Sequence, residues 1–345
     1  MNILLTTAHL ADFAGSELFT VSLTQELSSR GHSVTVYSPI LGRVAWAIDG
    51  LRNVELVNDL EKVKNKKFDV VHIQHNVTAW VVRKYFPEIP AVMGIHGVIP
   101  ALEQPPQVDL GMSKYIVVSE EISDHLQGRY SILKEDIEII HNWVDQNRFT
   151  CDSSLNPEPQ RLLVISNHLR KEEEAVYREV CKRRGIEFLH VGLPENPVDN
   201  VEDYMREADV VVTLGRGAME AMACGRNVII SDVYGLDGMV TPETYPELIR
   251  NNLSGRRYAK EVNVKNFSRE LDKYSPDYSE SLVRLVNENH NLEKNTGRIL
   301  ETYKEVREEK PTLDSDYKKV ILEINYLVNA LKDKDYQLRN PDDAW

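Results

Sequence analysis

The sequence has no run of about 18 uninterrupted apolar residues, so no segment reads as a membrane-spanning helix. Cysteine is scarce. Cys151, Cys181 and Cys224 share no metal-ligand spacing and are too few for a disulfide framework, which fits a reducing compartment. A positive excess is also missing: 41 Lys and Arg stand against 54 Asp and Glu, a net charge of −13. A negative field over the surface repels phosphate backbones, so nucleic acid is not the expected partner. The amino terminus has no positive region ahead of its short apolar run; it reads as a first strand, and the expectation is a cytoplasmic protein. What remains is ordinary globular material: 345 residues, 42% hydrophobic and 28% charged, enough for two medium domains.

Short apolar runs alternate with amphipathic segments. Residues 1–7 predict a strand, 17–30 a helix and 33–37 a strand entered through Arg30-Gly31-His32, which is the pattern of a parallel βαβ unit. Further strands are expected at 70–73, 91–95, 115–118 and 137–140. The polar, proline-rich stretch 152–159 suggests a linker. The pattern then restarts, with strands at 161–165, 188–191, 209–213 and 227–231 and helices at 171–184, 201–207 and 218–224. The expected architecture is α/β, two open parallel-sheet domains facing a cleft, spanning 1–155 and 156–290. Residues 291–345 form a helical tail expected to pack partly on the N-terminal domain. In it Tyr317, Ile321, Ile324, Val328 and Leu331 recur at helical steps, so the tail offers either an intramolecular packing face or a homodimer through the C-terminal helices.

Ligands of open α/β sheets bind beyond the carboxyl ends of the strands. Four turns stand at such ends. Val210-Val211-Val212 runs into Gly215-Arg216-Gly217, then a helix starting with Ala218 and Met219. The glycines admit close approach, and the helix start offers N–H groups to an anion such as a diphosphate. Glu220, in the first turn of that helix, could accept from ribose hydroxyls, or simply suit the helix dipole. Gly15 and Ser16 open the first long helix, with Ser16 a fair N-cap or a phosphate or acceptor contact. Ser166-Asn167-His168-Leu169-Arg170-Lys171 places two cations at a helix start, where the dipole disfavours them, which tilts the reading towards an anionic ligand. His96, between Gly94-Ile95 and Gly97, ends a strand where it could meet a sugar hydroxyl. His72 and His75 lack the spacing of a helical ligand pair, and no convergent third ligand suggests zinc.

The block Glu220-Ala221-Met222-Ala223-Cys224-Gly225-Arg226-Asn227-Val228-Ile229 resembles the EAMACGxPVI block of GT4-type glycosyltransferases of the GT-B fold. Gly15-Ser16-Glu17 is similar to their GGxE loop, Arg30-Gly31-His32-Ser33-Val34-Thr35-Val36 to their RGHeVtV strand entry, and His96-Gly97 to their HG position. Val117-Val118-Ser119-Glu120 and Ile140-His141-Asn142-Trp143-Val144-Asp145 resemble vVSe and iPNGVD, and all these blocks follow the family's order. The resemblance implies two Rossmann-like domains clamping a nucleotide-sugar. It implies metal-independent transfer to an acceptor hydroxyl, with retention, and no resident cofactor. By it Glu220 binds ribose, Arg170 and Lys171 the diphosphate, and His96 the transferred sugar. Gly15, Ser16, Asn167, Gly215, Arg216, Gly217, Ala218 and Met219 line the donor.

The chain departs from the pattern at three places. The family's first glutamate is absent, with Val212 eight residues before Glu220, and Arg216 could serve in its region. Arg170 and Lys171 are adjacent where the family spaces them, and Asn227 replaces a proline. The acceptor is a glycan, lipid or small molecule. Two rivals stand beside the transferase: a nucleotide-sugar epimerase of the same architecture, and a catalytically silent relative acting as a partner protein.

Overall fold

The computed structural model describes residues 1–11, 15–193, 196–198, 200–313, 319–320 and 323. The chain divides into two compact units, residues 1–140 with 293–345, and residues 141–292.

In the first unit the elements are β1 (Asn2–Thr6), α1 (Gly15–Ser29), β2 (Ser33–Tyr37), β3 (Val54–Val57), β4 (Val70–Ile73), α2 (Asn76–Tyr85), β5 (Ala91–Ile95), β6 (Met112–Val117), α3 (Glu120–Tyr130) and β7 (Ile137–Ile139). The strands form one sheet in the order β3-β2-β1-β4-β5-β6-β7, every pair parallel. Val70, Val71 and Ile73 are wholly buried, as befits a parallel strand covered on both faces. The chain order reverses between β1 and β4, so the crevice for a ligand opens beyond Thr6 and Ile73.

The second unit holds β8 (Arg161–Ile165), α4 (Lys171–Arg184), β9 (Glu187–Val191), α5 (Val201–Glu207), β10 (Val210–Thr213), α6 (Gly215–Ala223), β11 (Asn227–Asp232), β12 (Gly235–Met239), α7 (Tyr245–Ile249), α8 (Val264–Leu271) and α9 (Tyr278–Asn289). Its sheet runs β12-β11-β10-β8-β9, parallel except for β12. Here the reversal lies between β8 and β10, which aims the crevice at Ser166 and at the start of α6. The small residues of α6 let it lie close on the sheet: Ala218, Met219, Ala221 and Met222 are fully buried in one core with Val211, Val228 and Ile230. Each of the larger aliphatics contributes about 1–3 kcal/mol by leaving water.

The change of unit falls after Ile140, ahead of the proline-rich stretch where the sequence suggested a linker. That stretch is fastened instead: Asn156 donates from its backbone and its amide to Asp209, and Gln160 and Arg161 add backbone donors to the same carboxylate. Helix α9 stops at His290, which is wholly buried against the Tyr245 hydroxyl and the Asn142 carbonyl. Helix α10 (Leu292–Val306) follows and, from Glu293, belongs to the first unit. The stripe from Tyr317 to Leu331 lies outside the described residues. Strands β3 and β12 are not apparent in the sequence pattern; both are edge strands with weak apolar patterning, β12 carrying two glycines and an aspartate.

Candidate functional site

In the first unit, polar side chains crowd the switch point. His75 follows β4 and is buried; its Nδ1 accepts from the Ala8 N–H at 3.1 Å and lies 3.1 Å from the Thr7 hydroxyl. Burial pushes its pKa down to about 4, so the ring is neutral. His9, stacked at 5.8 Å on His75, places Nδ1 2.5 Å from Oε1 of Glu17. Glu17 is wholly buried on α1. Burial pushes its carboxyl up, but His9 and the Ser16 hydroxyl outweigh that and hold it below the usual range.

Helix α1 already begins at Gly15, so Ser16 lies inside it and is not the N-cap expected from sequence; its hydroxyl donates to Glu17 Oε2 at 2.8 Å. Gly15 has open space around the position of a Cβ.

His96, just beyond the end of β5, is half-buried, with its ring edge-on to Phe19 at 4.4 Å. Its Nε2 meets Gln74 Oε1 at 2.6 Å. Glu103 faces the same region: a Cβ on Gly97 would lie 2.8 Å from Glu103 Oε2. Burial, with Glu17 nearby, pushes the Glu103 carboxyl up to about 7. Two carboxyls of one cluster are thus driven in opposite directions.

In the second unit, α6 begins at Gly215, three residues earlier than its apolar pattern suggested, so Glu220 sits in the second turn and not the first. Gly215 adopts φ 55° and its N–H donates to the Leu253 carbonyl at 2.8 Å. Gly217 is required by closeness: a Cβ there would lie 2.8 Å from Thr213 Oγ1. Arg216 Nε donates to Glu220 Oε1 at 2.8 Å, one turn on. Burial raises the Glu220 pKa, against the pull of Arg216 and Arg148.

Beside the helix start, Asn252 and Leu253 hold left-handed φ of 54° and 53°, and the buried Asn252 Oδ1 and Ser254 Oγ have no hydrogen-bond partner among the described residues. Two successive strained non-glycine residues and two orphaned polar atoms mark a loop shaped by something beyond packing.

Arg170 stands at the N-cap of α4, and Lys171 is the helix's first residue. The expectation that these cations need an anionic ligand is partly met from within. Glu173, nearly buried, binds the Arg170 guanidinium, and Glu172 and Glu174 complete an acidic first turn. Arg170 also donates to the Val233 carbonyl and lines a cavity of about 380 Å³ with Tyr234 and Lys260. Ser166 donates to Asp232, and Asn167 Oδ1 accepts from the Leu193 N–H at 2.9 Å. A Cβ on Gly192 would lie 2.0 Å from the Ser166 carbonyl oxygen, so this loop and the β8 terminus are pressed together.

The structure brings Gly215, Arg216, Gly217, Ala218, Met219 and Glu220 to one helix start, and Asn167, Arg170 and Lys171 to the neighbouring strand end of the same unit, as the sequence implied. Sequence reasoning missed His9, Glu17, Gln74 and Glu103. For Glu17 the signal was there, in the Gly-Ser-Glu loop. The others lie in turns with no spacing rule. Among the described residues no three His, Cys, Asp or Glu side chains could hold a metal ion, and no helix is long and apolar enough to cross a membrane.

Residues 13–148 match the family described as Glycosyltransferase Family 4. No curated protein matches the sequence. Among solved structures, the chain is similar to a glycosyltransferase from Rickettsia africae ESF-5, with a TM-score of 0.69 at 16% identity over 89% of this chain and 99% of that one. It is also similar to AviGT4, a glycosyltransferase involved in avilamycin A biosynthesis, with a TM-score of 0.56 at 14% identity over 90% and 99%. The lipopolysaccharide outer core galactosyltransferase WaaB follows at 0.52 and 12%, over 88% and 99%. The fold is that of GT-B glycosyltransferases, and the family 4 match covers the motifs between residues 13 and 148.

Proposed function

We propose that this chain transfers a sugar from a nucleoside-diphosphate sugar to an acceptor hydroxyl, with retention of anomeric configuration and without a metal. The observation that carries the reading is the passage from β10 into α6. Gly217 presses the helix start onto Thr213, so first-turn amides and the positive end of the helix dipole gather at the switch point. Arg216 holds Glu220 beneath them, in reach of ribose hydroxyls.

In this reading Glu220 binds the ribose, and Asn167, Gly215, Arg216, Gly217, Ala218 and Met219 line the nucleotide. Arg170 and Lys171 meet the leaving diphosphate. Because Glu173 neutralises the inner edge of Arg170, Lys171 contributes most of the net positive charge. On the first unit, His96 touches the transferred sugar, and Gly15 and Ser16 line the acceptor side.

As the glycosidic C–O bond to phosphate breaks, its electron pair leaves with the diphosphate and charge grows where helix amides and cations stand ready. The acceptor oxygen bonds to the anomeric carbon, and a departing phosphate oxygen takes the acceptor's proton. The protein contributes positioning and anion stabilisation, with no side chain as nucleophile. The acceptor is a cytoplasmic glycan, lipid or small molecule.

The test is a thermal-shift panel of UDP, GDP and ADP, followed by the corresponding sugar nucleotides with candidate acceptors. The expected result is a raised melting temperature with one diphosphate, and its release from the matching donor. If no diphosphate shifts melting and no donor is consumed, the reading fails.

A further inference from the structure

Three adjacent strands of the first unit each end beside a hydrogen-bond acceptor that no donor meets among the described residues. Strands β4, β5 and β6 are neighbours in the sheet, about 4.8 Å apart, so one small ligand can reach all three ends. Beyond β4 stands Asn76, wholly buried in the first turn of α2. Its Nδ2 donates to the Ala101 carbonyl at 2.8 Å, which fixes the way the amide turns, and its buried Oδ1 has no partner. Both amide atoms stand at the tip of the side chain, so Oδ1 lies at the short 3₁₀ turn Ala101–Glu103.

That turn, beyond β5, carries the second acceptor. Glu103 is half-buried and folds back over the strand end, where a Cβ on Gly97 would lie 2.8 Å from its Oε2. Beyond β6, Glu120 opens α3, and its Oε2 is buried without a partner. Gln104 seats the turn on that helix: its Nε2 donates to the Gly97 and Pro100 carbonyls at 3.1 Å, and its Oε1 meets His125 Nε2 at 2.7 Å. Buried acceptors are ordinarily paired, so three open ones in the ligand crevice call for donors that a ligand brings.

The charge indicates what kind of donor. Among the described residues Glu17 is the one charged group that acts on Glu103, and it is a carboxylate at neutral pH. The histidines of the surrounding elements face other groups: His9 meets Glu17, His96 meets Gln74, His125 meets Gln104, and His75 is neutral. Burial, with Glu17 nearby and no cation to offset it, raises the Glu103 carboxyl. A positive ligand group would relieve a carboxyl so placed, and an anionic one would oppose it.

We infer that the first unit's crevice takes a hydroxylated amine, such as an amino sugar, with its ammonium at Glu103 and its hydroxyls donating to Asn76 Oδ1 and Glu120 Oε2. This rests on the reading above that the first unit receives the acceptor, and it narrows that acceptor to a cationic class. Neutral glycans lack the charge, and phosphorylated ones carry the wrong sign.

The test follows the Glu103 carboxyl by ¹³C NMR in the full-length protein, its signal assigned by its loss in Glu103→Gln. Three probes differ only at the sixth carbon: 6-amino-6-deoxyglucose, glucose and glucose 6-phosphate. Ethanolamine serves as the smallest hydroxylated amine, and both alkylamines stay charged through the titration. The midpoint, about 7 without ligand, should fall by about one unit with saturating 6-amino-6-deoxyglucose. That shift corresponds to about tenfold tighter binding to the ionised carboxyl, which draws the proton off. Glucose should leave the midpoint in place, and glucose 6-phosphate should not bind. In Glu103→Gln the affinity for the amino sugar, read by saturation-transfer NMR, should fall about tenfold.

A midpoint unmoved by both amines overturns the inference, as does an equal shift with glucose, or an amino-sugar affinity unchanged in Glu103→Gln. If UDP-glucose, GDP-mannose or ADP-glucose is consumed only with neutral or phosphorylated acceptors, the inference fails and the transferase reading stands. If the midpoint falls as described but no donor is consumed with any acceptor, the amine site stands and the transferase reading is what fails.

Discussion

His9 Nδ1 meets Glu17 Oε1 at 2.5 Å, an ion pair when the imidazole is protonated, with the carboxylate wholly enclosed and the imidazole half-buried. The pair ties the mouth of the switch-point crevice to the helix that carries Phe19, and so bears on both stability and the placement of His96.

Glu17→Gln should therefore destabilise the protein by about 2 kcal/mol where the imidazole is protonated and the carboxyl ionised, the scale of a hydrogen bond to a charged group. Its carboxyl is held below its ordinary value, so the contribution is present above the unfolded pKa of 4.5 and is lost as pH falls through the folded one. Urea unfolding of both proteins checks this. The gap should be present at about pH 6 and shrink below about pH 4. A gap independent of pH would contradict the ionic role of the pair.

Glu103 predicts the opposite slope. Its folded pKa is raised from 4.5 to about 7, so between those values the unfolded chain releases a proton that the folded one keeps. Stability from this group is present at low pH and lost as pH rises. Glu103→Gln removes that dependence, and its stability relative to the parent should climb across the window by an amount on the order of 2 kcal/mol, then level off. Parallel stability-versus-pH curves for the two proteins would refute it.

At the second unit, Gly217→Ala sets a methyl 2.8 Å from Thr213 Oγ1, whose hydroxyl already donates to the Ile165 carbonyl. The expected cost is about 1–3 kcal/mol, with weaker nucleotide binding as α6 lifts from the strand end. Adding Thr213→Ala should restore part of the stability. Calorimetric melting of the single and double variants decides, and a neutral Gly217→Ala would show that the approach is not tight.

Glu220→Ala should leave the fold intact and weaken binding of the recognised nucleoside diphosphate about tenfold or more, by losing hydrogen bonds to a charged group. It also releases Arg216 from its ion pair. His96→Ala should instead lower turnover with little change in nucleotide affinity. Isothermal titration and diphosphate release separate the two. Unchanged nucleotide affinity in Glu220→Ala would remove the glutamate from the donor site.

Much of this was legible in the residues. The strands whose apolar runs are continuous, such as 70–73 and 210–213, were readable because both faces are covered, and the glycine-punctuated turns after them pointed to the switch points. Two of the edge strands were not, since Val54–Val57 and Gly235–Met239 carry weak patterns that only sheet pairing makes meaningful. Helix starts slipped by two or three residues at Gly15 and Gly215, because glycine hides a start that backbone pairing reveals. The residues at the start of α6 lie within one motif and were found together. The first-unit cluster draws His9, Glu17, Gln74, His96 and Glu103 from five separate stretches, and long-range assembly of that kind leaves no spacing to read.

The path of the chain has a practical consequence for anyone dissecting this protein. Because residues 293 onward rejoin the lobe formed by 1–140, a fragment ending near residue 140 would be missing a wall: Tyr303 would no longer sit under His72, and a histidine that is neutral because it is dry would face solvent. The middle stretch, 141–292, is by contrast a continuous insert. It is the half that can be excised in one piece, while the other must be stitched from two.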